Sequence, residues 1–248
     1  MSPVESPGKT DILDHCGIEL GLLGLRLPDD IVLLQEAEGM AMSARDVRIG
    51  EALAARLCHE LVSPVGAIAN GVEILAEDAG FAADAATLIG QSAGEASRRL
   101  QFYRLAYGAL SPLGADAARQ ATLELFKEGR CRCEWPAASF SIPTDFVKLA
   151  MNLLLLASGA LPRGGVVAPL WSAAGLVVTA RGQGARIDGD LDMLLSPALE
   201  AAEINPKSVQ AAFTAALARQ LGCAIETDAA GPDCVSFNVV ARPVHDRS

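Results

Sequence analysis

The sequence predicts an α+β protein in which an antiparallel hairpin of two long helices, dimerised as a four-helix bundle, precedes a mixed domain of helices and strands. Two stretches with helical spacing of apolar residues, at 45–77 and 83–109, are separated only by a short Asp-Ala-Gly break. Beyond a Ser-Pro-Leu-Gly segment at 111–114, shorter helical patterns alternate with apolar runs typical of strands. Helices grouped with hairpin-connected strands predict a two-layer domain.

The hairpin is predicted from two apolar stripes. In the first helix the spacings are four, four, seven, four and three, at Leu53, Leu57, Leu61, Ile68, Val72 and Leu75. In the second they alternate between four and three, as in coiled coils, at Ile89, Ala93, Ala96, Leu100, Tyr103 and Tyr107. Two helices joined by a few residues pack antiparallel, but one hairpin cannot cover both stripes from water. Two hairpins can, so the sequence predicts a homodimer.

The elements after the hairpin follow the same reasoning. Helices are predicted near 116–128, 144–159 and 206–221, and strands near 130–135, 165–171, 175–180, 223–228 and 234–241. We therefore divide the chain into a poorly defined segment at 1–43, the hairpin at 44–110 and the α+β domain at 115–245. Met40 and Met42 stand just before the first clean helical pattern, so a translation start at either one is an open alternative.

Composition excludes several classes of protein. The 248 residues include 20 Lys and Arg against 30 Asp and Glu, a net charge of −10, and the basic residues are scattered, so we expect no nucleic-acid partner. The longest apolar stretch, at 149–160, is broken by Asn152 and Ser158 and falls short of the roughly 18 residues that span a bilayer. The first residues have the wrong charge pattern for a secretory signal, and we expect a cytoplasmic protein without a membrane segment.

The six cysteines show no spacing that indicates a disulfide framework or a zinc site. Cys131 and Cys133 form a Cys-x-Cys pair, but neither a second pair nor a histidine lies within ligand spacing. We interpret both as strand cysteines and expect no metal.

His59 is the candidate functional residue, because it is the one histidine of three that lies inside a strongly patterned element. At about 100° per residue it points away from the apolar stripe and toward solvent. The small or polar residues within about 60° of it form a face that a second protein can approach closely, and they are Arg56, Ser63, Gly66 and Asn70. The alternative is an ordinary surface histidine.

Local sequence favours the functional interpretation. An acid, Glu60, follows His59 directly, and Pro64 lies in mid-helix, where proline costs about 3 kcal/mol. The segment resembles the H-box of histidine kinases, in which the histidine carries a phosphoryl group. The hairpin then resembles the dimerisation and phosphotransfer domain, and the following domain is expected to resemble the kinases' ATP-binding domain.

Three nucleotide-binding motifs of that domain are altered here. The kinase N-box reads Asn-Leu-Leu-x-Asn-Ala, and residues 152–157 match it except that Leu156 replaces the magnesium-binding Asn. The adenine-binding loop reads Asp-x-Gly-x-Gly, and residues 180–184 keep both glycines but lose the Asp. The last Gly-rich loop aligns with 203–207, where no glycine is left.

A kinase-shaped protein without these motifs resembles the ChpT-type histidine phosphotransferases of alphaproteobacteria. The sequence similarity to this family is strongest at 54–60 and 100–108, and the resemblance covers about 44–242. It implies a degenerate histidine-kinase ATPase-like α/β sandwich after the hairpin. It also implies a cytoplasmic homodimer that relays phosphoryl groups through His59, from the receiver domain of a hybrid kinase to response regulators of the cell cycle. No cofactor of its own is expected, since receiver domains bring their own magnesium.

The resemblance makes Glu60 a candidate to orient the His59 ring or accept its proton, although a solvated helix acid is an equal alternative. A turn centred near residue 81 brings His59 level with Tyr103 and Arg104. Arg104 is therefore a candidate to neutralise the phosphoryl group, or else a surface arginine. Two other functions stay open: an ATP-dependent histidine kinase, and a dimeric adaptor in which His59 is incidental.

Overall fold

The computed structural model describes residues 43–77, 79–108, 114–136, 142–172, 175–187, 189–196 and 199–241. The chain from Ser43 onward forms one compact unit. The predictions for 1–42, including the possible starts at Met40 and Met42, lie outside the described residues.

The predicted hairpin is confirmed. Helix α1 (Ala44–Glu77) and helix α2 (Ala82–Tyr107) are joined by a short 3-10 turn, Ala79–Phe81. Helix α1 begins in a reciprocal cap, because Ser43 Oγ accepts from the Asp46 N–H while Asp46 Oδ2 accepts from the Ser43 N–H. At Gly71 an added Cβ would lie 2.6 Å from Ile89 Cγ1, so the glycine lets the two helices approach closely.

The second part of the unit is a five-stranded sheet with helices against it. Its helices are α3 (Gly114–Leu125), α4 (Thr144–Gly159), α5 (Leu191–Leu195) and α6 (Val209–Gln220). Its strands are β1 (Cys131–Cys133), β2 (Gly165–Ser172), β3 (Gly175–Arg181), β4 (Cys223–Gly231) and β5 (Cys234–Ala241). The strand order is β1-β2-β3-β5-β4, and only the β1–β2 pair is parallel.

Helix α4 forms the centre of the core because its residues are apolar on nearly every face. Its fully buried side chains include Leu149, Met151, Leu153 and Leu154. The same core includes side chains from the sheet and from the C-terminal turns of α2, among them Val178, Phe237, Phe102 and Leu105. Burying each large apolar side chain contributes roughly 1.5 to 3 kcal/mol. The hairpin and the sheet domain therefore share one core.

A second apolar cluster joins the start of α1 to the other end of the sheet domain. It consists of Ile49, Ala52, Leu53, Leu199, Ile204, Val209 and Ala212. Arg48 adds a hydrogen bond from Nε to the Ile204 carbonyl at 3.0 Å. Helix α1 is thus attached to α6 at one end and to α2 along its length.

Most element predictions are confirmed within a few residues. The strand predicted at 130–135 is observed at Cys131–Cys133, paired with β2. Helix α5 and the 3-10 turn Ala201–Glu203 lie where the sequence predicted neither a helix nor a strand. Both elements are too short to show a helical period.

Part of the hairpin's apolar stripe is exposed in the single chain. Val72 is 54% exposed, Leu75 40% and Leu100 53%. Among the described helices, α1 is long and apolar enough to cross a bilayer by composition, which is weak evidence, since a long helix of a soluble helical bundle passes the same test. The uncovered stripe matches the expectation that one hairpin cannot bury both faces.

Candidate functional site

His59 lies in the middle of α1 with its side chain exposed, so the predicted solvent-facing orientation is confirmed. Its ring makes no hydrogen bond to the part of the chain that the structure describes. In a neutral imidazole one ring nitrogen carries an unshared lone pair and can act as a nucleophile. An external electrophile can therefore reach His59 directly.

The face around His59 is open. Ser63, Gly66 and Asn70 are all exposed, as the helical spacing predicts. A Cβ added at Gly66 would meet nothing within 4 Å. The fourth residue of the predicted face differs, because Arg56 is half-buried and bound to a neighbouring acid.

Pro64 is buried within α1, which continues through it without interruption. Proline has no N–H to donate to the carbonyl four residues earlier, which is that of Glu60. The helical hydrogen-bond ladder is therefore broken one residue after His59. Burial of the proline ring in the hairpin offsets part of its cost.

Glu60 contacts three side chains on two helices. Its Oε1 forms an ion pair with Arg56 Nε at 3.0 Å, and its Oε2 accepts from Arg99 Nη1 at 3.3 Å and from the Tyr103 hydroxyl. Arg99 also holds Glu95 at 2.7 Å. The contact between Glu60 and Tyr103 confirms that this level of α1 faces Tyr103 on α2. The roles predicted for Glu60 toward His59 stay predictions, and the partners seen here are different ones.

Arg104, the other predicted catalytic residue, follows Tyr103 on α2 and is exposed. Its role as a phosphoryl-binding cation stays a prediction. Sequence reasoning missed Arg99. The spacing of four between Glu95 and Arg99 indicates a helical ion pair, but it does not show that Arg99 also reaches across the hairpin.

Two stacked tyrosines connect Glu60 to the sheet domain. The rings of Tyr103 and Tyr107 lie 5.6 Å apart between centroids, and the Tyr107 hydroxyl donates to Gln210 Oε1 at 2.6 Å. Burial raises the pKa of Tyr107 to about 12. Burial and the hydrogen bond to Glu60 raise the pKa of Tyr103 further above its usual range. Both hydroxyls are therefore protonated donors at neutral pH.

Asn152, the first residue of the N-box-like segment, is fully buried and has a structural role. Its Nδ2 donates to the Ala106 carbonyl at 2.9 Å, and its Oδ1 accepts from Gln210 Nε2 at 3.0 Å. These bonds join α4 to α2 and α6. The side chain satisfies its hydrogen bonds inside the protein.

A cavity of about 590 Å³ opens between the end of α4, α5 and the start of α6. Leu156 lines it, where the kinase motif places a magnesium ligand. Its charged lining residues carry both signs, and they are Arg56, Arg186, Lys207, Asp190 and Glu203. At the start of α6 the Asn205 side chain accepts from the N–H groups of Lys207 and Ser208. Those two N–H groups are thus already bonded within the chain.

The remaining glycine loop is also satisfied internally, since the Gly184 N–H donates to Asp233 Oδ1 at 2.7 Å. Across the described residues, no group of three or more His, Cys, Asp or Glu side chains lies close enough to hold a metal ion. Cys131 is buried and Cys133 half-buried, and both are free thiols on β1.

Comparisons with known proteins agree with this arrangement. Residues 115–233 match the family described as "Histidine phosphotransferase C-terminal domain". The protein phosphotransferase ChpT of Brucella abortus (strain 2308) is 38% identical over an alignment of 205 residues that covers 79% of this chain and 96% of the relative. A solved bacterial phosphotransferase superposes with a TM-score of 0.67 at 36% identity, over 80% of this chain and 98% of that one. Since both matches extend over the hairpin and the sheet domain, the chain belongs to the ChpT-type histidine phosphotransferase family.

Proposed function

We propose that this phosphotransferase relays phosphoryl groups between aspartates of receiver domains through His59, without using ATP. The observation that carries the proposal is the exposed His59 on an open helix face, in a chain of this family. We infer that the donor is the receiver of a hybrid kinase and that response regulators of the cell cycle are the acceptors.

The step is an in-line displacement at phosphorus. The lone pair of a neutral imidazole nitrogen forms the N–P bond, the P–O bond to the receiver aspartate breaks, and its electron pair leaves with the carboxylate. The other ring nitrogen keeps its proton. Transfer to the next receiver reverses these bond changes with a new aspartate. Magnesium bound to the receiver neutralises the phosphoryl oxygens, so this chain supplies the oriented histidine and the docking face.

Two chains are proposed to pair through their hairpins as a four-helix bundle. The support is the exposed apolar side chains of Val72, Leu75 and Leu100, because a partner hairpin would remove them from water. A cytoplasmic location follows from the proposed partners, since receiver domains and response regulators act there.

The absence of ATP chemistry is supported by the altered nucleotide motifs. Leu156 offers magnesium no oxygen, and the Asn205 side chain already accepts from the N–H groups of Lys207 and Ser208, just before α6. An ATP-dependent kinase would need a magnesium ligand at the first position and free N–H donors at the second. The adaptor alternative differs from the relay in one respect, because it requires no phosphoryl transfer to His59.

The test mixes the purified protein with a receiver domain carrying ³²P on its aspartate. We expect acid-labile, alkali-stable label on the wild type and none on His59→Gln, with the variant dimer unchanged because the side chain faces away from the apolar stripe. Label on His59→Gln would contradict the role of His59. Unlabelled wild type with intact receiver phosphate would favour the adaptor.

A further inference from the structure

We propose that Arg56 is the cation that pairs with the phosphoryl group on His59, and that Glu60, held by Tyr103 and Arg99, is the residue that positions it. The inference rests on the proposed function of His59 and assigns a new role to its neighbours. It concerns which charge meets the phosphoryl group once the group is on the imidazole.

Arg56 is close to His59 by helical geometry. Residues three apart on a helix have Cβ atoms about 5 to 6 Å apart. Around the helix axis Arg56 lies about 60° from His59, and Glu60 lies about 100° from it in the same direction. Arg56 therefore lies about one turn before His59, on the same side of the helix as the acid with which it pairs.

The guanidinium of Arg56 is fixed and still has donors to offer. Its Nε forms an ion pair with Glu60 Oε1 at 3.0 Å, and its side chain is 26% exposed. Within the described part of the chain, its two Nη groups make no hydrogen bond. A planar guanidinium held through Nε presents those N–H groups to a second anion, and phosphoryl oxygens fit that geometry.

Glu60 is kept from turning toward His59 by its partners on α2. The Tyr103 hydroxyl and Arg99 both bind Oε2, and Arg99 is itself anchored by Glu95. The charges of Arg99 and Arg56 together balance those of Glu60 and Glu95, so the four side chains add no net negative charge beside His59. Within this cluster, Arg56 is the cation on the helix of His59, and it is the one that we assign to the phosphoryl group.

The competing cation is Arg104, which follows Tyr103 on α2 and is exposed. The two arginines are distinguished by the ionisation of phosphohistidine itself. A nearby guanidinium favours the dianionic phosphoryl group and disfavours the protonated ring, so it lowers both midpoints. Removing the responsible arginine raises the pH at which the group titrates.

The experiment loads the full chain chemically with potassium phosphoramidate and follows the phosphohistidine ³¹P resonance across a pH range that brackets the second phosphate pKa near 6. His59→Gln identifies the His59 signal. We expect Arg56→Ala to raise its midpoint by about half a pH unit or more, Arg56→Lys by less, and Tyr103→Phe in the same direction. Tyr107→Phe, whose hydroxyl binds Gln210, is the matched control and is expected to titrate like the wild type.

A wild-type midpoint in Arg56→Ala, or a shift found only in Arg104→Ala, would overturn the inference. If circular dichroism shows that Arg56→Ala does not fold, the midpoints of Arg56→Lys and Tyr103→Phe are compared with that of the wild type instead. Chemical loading does not depend on a receiver. A loaded protein that transfers nothing to receivers would therefore contradict the proposed function and leave the Arg56 result standing.

Discussion

Gln210 and Asn152 are hydrogen-bonded to each other in the buried core, Nε2 to Oδ1 at 3.0 Å, and Tyr107 extends this pair to the hairpin through its bond to Gln210. Their polar atoms join three helices, so we expect the pair to contribute to stability.

Asn152→Ala should lower the free energy of unfolding by about 2 to 3 kcal/mol, because the Ala106 carbonyl and the Gln210 amide would lose their buried partner. Urea denaturation followed by circular dichroism measures the change. Gln120→Ala is the matched control, since that amide is exposed on α3 and donates to Glu124 one turn away, and it should stay within about 0.5 kcal/mol. Equal stability of the two variants would contradict the structural role of Asn152.

Gly66→Leu should reduce phosphoryl transfer sharply without unfolding the protein. The new side chain would project into open space on the His59 face, where a receiver helix must approach within van der Waals contact. Initial rates of transfer from a labelled receiver measure the effect. Gly90→Leu on α2, also at a position with nothing within 4 Å, is the control and should transfer normally. Normal rates in Gly66→Leu would place the docking surface elsewhere.

Gly66→Ala and Gly71→Ala should change stability in opposite directions. Replacing an exposed helical glycine with alanine raises the free energy of unfolding by about 1 kcal/mol, because alanine loses less backbone entropy on folding. At Gly71 the new Cβ would lie 2.6 Å from Ile89 Cγ1, so the Ile89 side chain or the helix that carries it must shift. Thermal unfolding of the two variants checks the pair, and a stabilised Gly71→Ala would show that the helix contact is looser than described.

The protein should bind no ATP saturably at physiological magnesium. Leu156 provides no oxygen for the metal, and the loop at 180–184 has no carboxylate for adenine. Titration with a fluorescent nucleotide, in the presence and absence of magnesium, measures this. Saturable micromolar binding, or self-labelling from ATP, would contradict this prediction and support the ATP-dependent kinase alternative.

Stability should decline at alkaline pH because of the buried tyrosines. The folded-state pKa of Tyr107 is raised by burial to about 12, above its unfolded value near 10. Between these values the unfolded state has lost a proton that the folded state keeps, so stability is full below about pH 10 and falls as pH rises toward 12, by up to about 1.4 kcal/mol per pH unit for one tyrosine. Urea unfolding across this range should show a shallower decline in Tyr107→Phe than in the wild type. An identical slope would contradict the shift.

The order and type of the long elements could be predicted because their signals are local. The helix predicted at 144–159 is observed at Thr144–Gly159, since its apolar run is long and ends at a Gly. The solvent-facing position of His59 followed from helical spacing alone. The binding of Glu60 by Arg99 and Tyr103 did not, because contacts across the hairpin depend on the rotation of α2 about its axis. Helix α5 was missed because five residues show no period.

The two apolar clusters that join α1 and α2 to the sheet domain affect how a partner is met. A receiver that approaches His59 meets a hairpin whose two helices are already packed against the sheet domain. We expect docking to require little reordering of the hairpin, which keeps the entropy cost of the encounter low. Rigid surfaces of this kind allow association to be limited by orientation and diffusion, which suits a carrier that must exchange one receiver for another between successive transfers.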